Sequence, residues 1–208
     1  MKERTYKDIA YNRHSVKVYD PEVKISQDEM IQILDEAVKA PSSVNMQPWR
    51  FVVVQSQNGK EKLRPLIRFN QRQNDTSSAM ILIFGDMQCW QKGEQIYGEA
   101  VERGLMPQDV KEELMQFIMP AYTGASPEKM NDIVKIDCSL CAMQLMLAAR
   151  DHGYDTCPIG GFEHEQLAEA FGLDPERYVP VLIISIGKSD YETHQSVRLR
   201  AEEITKFI

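Results

Sequence analysis

Two periods of apolar residues alternate along this chain, and each change of period marks a boundary between elements. After Ser26, the residues Met30, Ile33, Leu34 and Ala37 recur at helical spacing, which predicts a helix with one apolar face. Ser26 and Glu29 stand at capping-box spacing, and Pro41 marks the end because proline lacks the amide a helix needs. The β-branched run Phe51 to Val54 predicts a strand, followed by an Asn58–Gly59 turn and a short helical segment through Phe69. Met80 to Gly85 and Val181 to Ile186 predict two more buried strands. Between 90 and 125 the pattern is mixed: Pro107 opens a helix through Ile118, and Pro120 with TGASP interrupts it. That region is expected to cover a site.

The longest helical signal runs from Pro127 to about His152, with Ser126 placed as its cap. Ile133, Ile136, Leu140, Met143 and Leu147 form its apolar stripe, and Leu145 and Met146 widen it. A stripe this wide predicts a helix enclosed on several sides or lying in a dimer core. Gly153 to Gly161 reads as a loop, and Glu163 to Phe171 as a short helix stopped by Gly172. The tail, 188–208, is too patterned for a linker. Strands separated by helices predict a two-layer or three-layer α/β arrangement. The first 45 residues hold no Gly-rich strand-to-helix turn, which argues against a doubly wound dinucleotide site.

Length and charge narrow the picture. The 208 residues are expected to form one domain, 1–208, able to withdraw about 70% of its unfolded surface from water. The 24 Lys and Arg against 31 Asp and Glu give a formal charge of −7, so neither nucleic acid nor an anionic membrane is an expected partner. The opening MKERTYKDIA has no apolar leader pattern, and no run approaches roughly 18 apolar residues. Cytoplasm is therefore the expected location. Four cysteines in a chain of this size read as reduced thiols rather than a disulfide framework.

Three polar stretches carry candidate chemistry. Arg13, His14, Ser15 and Lys17 combine a rigid donor fork, a hydroxyl and a mobile cation, a set suited to an anion such as phosphate or to a solvated face. In APSSVNMQPW, Ser42, Ser43, Asn45 and Gln47 offer mixed donors and acceptors that suit the edge of a planar cofactor, or an Asx-turn beside a core tryptophan. In TCPIGGF, Gly160 and Gly161 permit close backbone approach or a plain turn. Cys138 and Cys141 form a C-x-x-C pair, yet they sit well inside a helical pattern, which favours packing over redox chemistry. Glu163, His164 and Glu165 stand at a helix start, where acidic residues complement unpaired amides. Tyr97, Phe117 and Tyr122 could stack on an aromatic substrate or pack between cover helices. No metal site is expected.

RHSVKVY, APSSVNMQPWRFVVV, FNQR at Phe69 to Arg72, GYDTCPIGGF at Gly153 to Phe162 and the final basic pair together resemble the FMN-dependent, oxygen-insensitive nitroreductase family, in the family's order and over nearly the whole chain. The resemblance implies an α+β fold, a three-layer sandwich with a central mixed β-sheet flanked by helices. It also implies an intertwined homodimer with one FMN at each of two subunit interfaces and the tail 188–208 contacting cofactor and partner. Arg13, His14, Ser15 and Lys17 would meet the flavin phosphate and ring edge, with Arg198 and Arg200 also on the phosphate. Ser43, Asn45 and Gln47 would contact the flavin, some from the partner subunit. Asn70 and Gln73 would lie near the pyrimidine part of the ring, Gln73 replacing a frequent lysine. Pro158, Ile159, Gly160 and Gly161 would lie along the ring face, Gly160 replacing a glutamate of some relatives. The implied activity is ping-pong transfer from NADH or NADPH to a small electron-poor acceptor such as a nitroaromatic or quinone. Specialised dehydrogenation or dehalogenation, destruction of reduced flavin, and a non-catalytic flavin-binding dimer remain open, because a shared pocket does not define the second substrate.

Overall fold

The computed structural model describes residues 5–189, 191 and 196–208. Residues 1–4 of the opening segment, and 190 and 192–195 of the tail, lie outside the described residues. A reciprocal cap between Thr5 and Asp8 starts α1 (Tyr6–Asn12). The Ser26 hydroxyl accepts from the Glu29 amide at the start of α2 (Gln27–Ala37). Then follow β1 (Trp49–Val54), α3 (Gln57–Leu63), α4 (Gln71–Thr76), β2 (Ala79–Asp86) and α5 (Gly93–Glu102). The chain continues through α6 (Gln108–Thr123), α7 (Pro127–Asp151), β3 (Asp155–Ile159), α8 (His164–Ala170) and β4 (Tyr178–Gly187).

Three local expectations are corrected. Asn58 and Gly59 lie inside α3 rather than in a turn, because the Ser56 hydroxyl caps the helix by accepting from the Gly59 amide at 3.2 Å. Pro120 does not end α6. The helix runs on to Thr123, whose hydroxyl bonds the Met119 carbonyl at 2.8 Å. Residues 155–159, read as loop, form strand β3, because β4 supplies an edge they can pair with. Pro158 is tolerated there since β3 is an edge strand and its missing amide breaks no inner ladder.

The sheet order is β1-β2-β4-β3, with antiparallel pairing throughout. Antiparallel strands with helices on both faces make this an α+β rather than an α/β arrangement. The parallel component is the bridge between Ser15 and Thr156, which lays the segment after α1 along the edge of β3. Every residue of β2 is buried. Ala79, Ile81 and Ile83 face α2 and α7, while Met80, Leu82 and Phe84 face the layer of Leu63, Ile67, Phe162 and Leu167. This two-sided burial makes three layers and explains why the run shows no polar alternation. A third cluster, including Met46, Tyr97, Ile118, Tyr122 and Val134, seats α5 and α6 beside α7.

Within this chain, part of the apolar stripe of α7 faces away from the sheet and smaller residues face it. Ile136, Leu140 and Met143 are 62%, 45% and 41% exposed, whereas Val134, Cys138, Cys141, Leu145 and Ala149 are buried. Small residues occupy the buried face because α7 lies close on the sheet: a Cβ at Gly85 would stand 2.7 Å from a Val134 methyl. Among the described residues no helix is long and apolar enough to cross a membrane.

Candidate functional site

One half of the candidate site forms around the free edge of β3. The Val16 amide donates to the Thr156 carbonyl at 3.1 Å, holding the Arg13–Lys17 stretch beside the strand. Burial pushes the Cys157 thiol up, opposed by the neighbouring Gln73, Lys17, Ser15 and Arg13. Asn70 donates its amide to the carbonyls of Ile67 (3.1 Å) and Gly161 (3.3 Å), and Gln73 donates to the Asn70 carbonyl oxygen at 3.1 Å. These bonds fix Asn70 against Gly161, with the buried Gln73 behind it. A Cβ at Gly160 would meet no atom within 4 Å, so the loop faces open space. Arg13 and Arg198, with Ala10, Tyr11 and Ser196, line a cavity of about 380 Å³. Arg200 stands apart from that lining, paired with Glu202 at 2.5 Å. His14 is half-buried between Arg13 and Ser15.

The other half is the loop entering β1. Ser42 accepts from the Gln47 amide at 3.0 Å, and Gln47 donates its side-chain amide to Asn45 at 3.3 Å. Val44, Asn45 and Gln47 have φ of 42°, 55° and 47°. Left-handed backbone at non-glycine residues costs about 1–3 kcal/mol each and persists only where neighbours hold it. The neighbours are visible. Asp137 of α7 accepts the Ser43 amide on both oxygens at 3.1 Å, and Arg50 donates to the Gln47 carbonyl at 3.0 Å. Tyr122 donates to the Ser43 carbonyl at 3.1 Å and Tyr97 to the Val44 carbonyl at 2.9 Å. Both tyrosine rings are buried in the third cluster, so they act as packing and hydrogen-bonding groups rather than stacking platforms, while Phe117 is 77% exposed. Asn45 and Gln47 also border a cavity of about 300 Å³ with Gln95, Ile96, Glu99 and Arg103.

In a single chain these halves do not meet. The strained loop leads into β1 and the glycine loop leaves β3, at opposite edges of the sheet, a span of three strand spacings, about 14 Å.

Sequence reasoning missed Asp137, Arg50, Asp86 and Arg177. A readable signal existed for the first, a lone carboxylate flanked by the small buried residues Val134, Cys138 and Cys141. Burial raises the Asp137 carboxyl above its ordinary range, partly opposed by the Ser43 amide. A folded value above the unfolded one means that the folded state holds this proton more tightly, so stability is lost as pH rises from the ordinary carboxylate range through the raised value. In Asp137→Asn this loss disappears while an acceptor for Ser43 remains. The variant's melting temperature minus that of the wild type is therefore expected to rise as pH increases from the ordinary carboxylate range. A difference that stays flat over that increase would contradict the assignment.

The remaining candidates have structural roles. Cys138 and Cys141 direct their thiols to the carbonyls of Phe84 and Ala37, and burial pushes Cys141 up to about 12. Both are therefore held as unreactive thiols. Glu163 immediately precedes α8 and pairs with Arg68 at 2.9 Å, and the His164 ring lies 4.0 Å from that of Phe162.

The chain thus presents a helix-flanked antiparallel sheet with a cationic segment along one edge and a strained amide-rich loop at the other. The chain belongs to the nitroreductase family, whose model matches residues 10–188. It is 49% identical over 207 residues to YdgI of Bacillus subtilis (strain 168), named as an NAD(P)H nitroreductase, with 100% of this chain and 99% of that relative covered. It is 38% identical over 202 residues to the CLA biosynthesis enone reductase of Lactiplantibacillus plantarum, with 97% and 93% covered. A crystal structure from Exiguobacterium sibiricum 255-15, described as a nitroreductase in complex with FMN, superposes with a TM-score of 0.96 at 50% identity, covering 100% of this chain and 99% of that one.

Proposed function

We propose that this protein is a cytoplasmic, homodimeric FMN oxidoreductase that draws reducing equivalents from NADH or NADPH and passes them to nitroaromatic, quinone or related electron-poor acceptors. The observation that carries the reading is the convergence at the β3 edge. Arg13 and Arg198 share one cavity, and beside the same edge Asn70, backed by Gln73, meets the open Gly160–Gly161 loop. That donor set fits FMN. Two guanidinium groups match a phosphate dianion through charge-assisted bonds, and fixed amides match the mixed edge of a flat heterocycle. When bound, FMN would supply the hydride chemistry between the nicotinamide and the acceptor.

The chain's own residues bind, orient and exclude. Arg13 and Arg198 would hold the phosphate, with Lys17 adding positive charge nearby. Asn70 and Gln73 would orient the ring, and Pro158 to Gly161 would form its floor. Ser43, Asn45 and Gln47 would close the pocket from a second copy of this chain, which supports a dimer because one chain holds the two halves on opposite sheet edges. The exposed Ile136, Leu140 and Met143 of α7, together with Val197, Leu199, Ile204 and Phe207 of the tail, supply apolar surface for that association.

A second acceptor class, conjugated enones, is favoured by the likeness to the Lactiplantibacillus plantarum enone reductase, and a groove of about 850 Å³ along α5 and α6 offers room for it, with Trp90, Met115 and Met119 among polar and charged neighbours. Stopped-flow absorbance of the purified holoprotein tests the whole reading. Bleaching by NADH or NADPH and recolouring by a quinone, a nitroaromatic or an alkyl enone, at rates that rank the acceptors, is the expected result. A yellow protein that neither nicotinamide reduces would point to a binding role instead.

A further inference from the structure

We propose that Tyr97 and Tyr122 are positioning residues: their hydroxyls tie the α5–α6 cover to the strained loop of Ser43, Asn45 and Gln47, so that the seating of the cover sets how firmly that loop grips its ligand. The inference rests on the FMN reading given above, and it adds a route by which occupancy of the cover reaches the cofactor.

The geometry is specific. Tyr97 lies in α5 and Tyr122 in the last turn of α6, and their hydroxyls reach two successive carbonyls, Val44 at 2.9 Å and Ser43 at 3.1 Å. In helical backbone of either hand, successive carbonyls point roughly the same way. The left-handed Val44 (φ 42°, ψ 35°) therefore turns both toward the cover. For a β-branched residue this conformation is an outlier, and in the extended region the two carbonyls would diverge. The hydroxyls and the strained backbone thus require each other.

The loop is held differently at its ends. Asp137 binds the Ser43 amide from α7, Arg50 binds the Gln47 carbonyl from β1, and Met46 is fully buried. The Asp137 and Arg50 anchors sit on α7 and β1 and stay when the cover shifts, whereas Met46 packs in the cluster that seats the cover. Of the loop's hydrogen bonds among the described residues, those that Tyr122 and Tyr97 make to the Ser43 and Val44 carbonyls reach α6 and α5, and these carbonyls immediately precede Asn45. Burial also pushes both phenols above their ordinary range, so they remain donors at any working pH.

The test uses Tyr97→Phe, Tyr122→Phe and the double variant, which keep the rings in their cluster and remove only the hydroxyls. In apoprotein, amide hydrogen exchange of residues 43–47 is expected to quicken about thirtyfold in the double variant, since two hydrogen bonds of about 1 kcal/mol each are lost. Exchange in β2 should not move. In holoprotein the FMN dissociation constant is expected to rise about tenfold. In an Asn45→Ala, Gln47→Ala background the same two changes should add less than about twofold, because the side chains that transmit the effect are gone. Should the double variant fail to fold, each single variant serves with about half the effect on a logarithmic scale. Unchanged exchange across 43–47 overturns the tie itself. An FMN effect of equal size in both backgrounds overturns transmission through Asn45 and Gln47 and marks the tyrosines as merely structural. A wild-type protein that takes up no FMN overturns the functional reading and the cofactor half of this proposal, while the exchange measurement still decides the tie.

Discussion

The double variant Arg13→Ala, Arg198→Ala is expected to leave purification colourless and to bind added FMN at least a hundredfold more weakly than the wild type. Both side chains line the same cavity although 185 positions separate them. Charge-assisted hydrogen bonds are the strongest a surface site offers, and losing two of them is expected to cost about two decades of affinity or more. Dimer content and melting temperature of the apoprotein should change little, since neither arginine holds the core. Arg200→Ala serves as the contrast, because its guanidinium pairs with Glu202 instead of lining the cavity. A fluorescence titration in which Arg200→Ala weakens FMN as much as the double variant would refute the assignment of the phosphate to Arg13 and Arg198. High salt should narrow the wild-type advantage, as it screens exposed charge.

The second large effect is on stability. Asp86 ends β2 with a fully buried carboxylate that accepts from Arg50 at 2.9 Å, from Arg177 at 2.8 and 2.9 Å, and from the Gln88 amide at 2.9 Å. Its own amide donates to the Pro48 carbonyl at 2.8 Å. One residue thus joins the strained loop, the start of β4 and the entrance to the cover. Replacing it by alanine leaves two half-buried guanidinium groups facing each other without a counter-charge, a change that costs about 3–5 kcal/mol. For a chain of this length that corresponds to a fall of roughly 10 °C in melting temperature. Removing either arginine alone costs less, because each is partly solvated and the carboxylate keeps the other. Thermal melts of Asp86→Ala, Arg50→Ala and Arg177→Ala in one buffer check the order. If Arg177→Ala proved as damaging as Asp86→Ala, the carboxylate would not be the keystone.

The residue types of the candidate site were more legible than their arrangement. Arg13, Lys17, Asn70, Gln73 and Gly160 are recognisable by residue type, and the structure gathers them at one strand edge. Arg50 and Asp86 were not recognisable, because each sits at a strand end where a charged residue ordinarily faces water. Only the convergence of β1, β2 and the chain before β4 makes them partners. Tyr97 and Tyr122 were visible as aromatic residues in a cover region, but their hydroxyls find their acceptors more than 50 residues away.

Chain order and local period determined where β1, β2 and β4 run and where α2 and α7 begin. A strand buried on both faces must be continuously apolar, and a helix start must satisfy its own free amides with a nearby side chain. Those constraints act within a few residues, so they are written into the sequence. Tertiary structure decided which face of α7 is covered, that residues 155–159 extend rather than loop, and that the two halves of the site lie on opposite edges of the sheet. Each depends on what a distant segment brings alongside: a sheet close enough to favour alanine and cysteine over leucine, an unpaired strand edge, and a strand order that hydropathy does not encode.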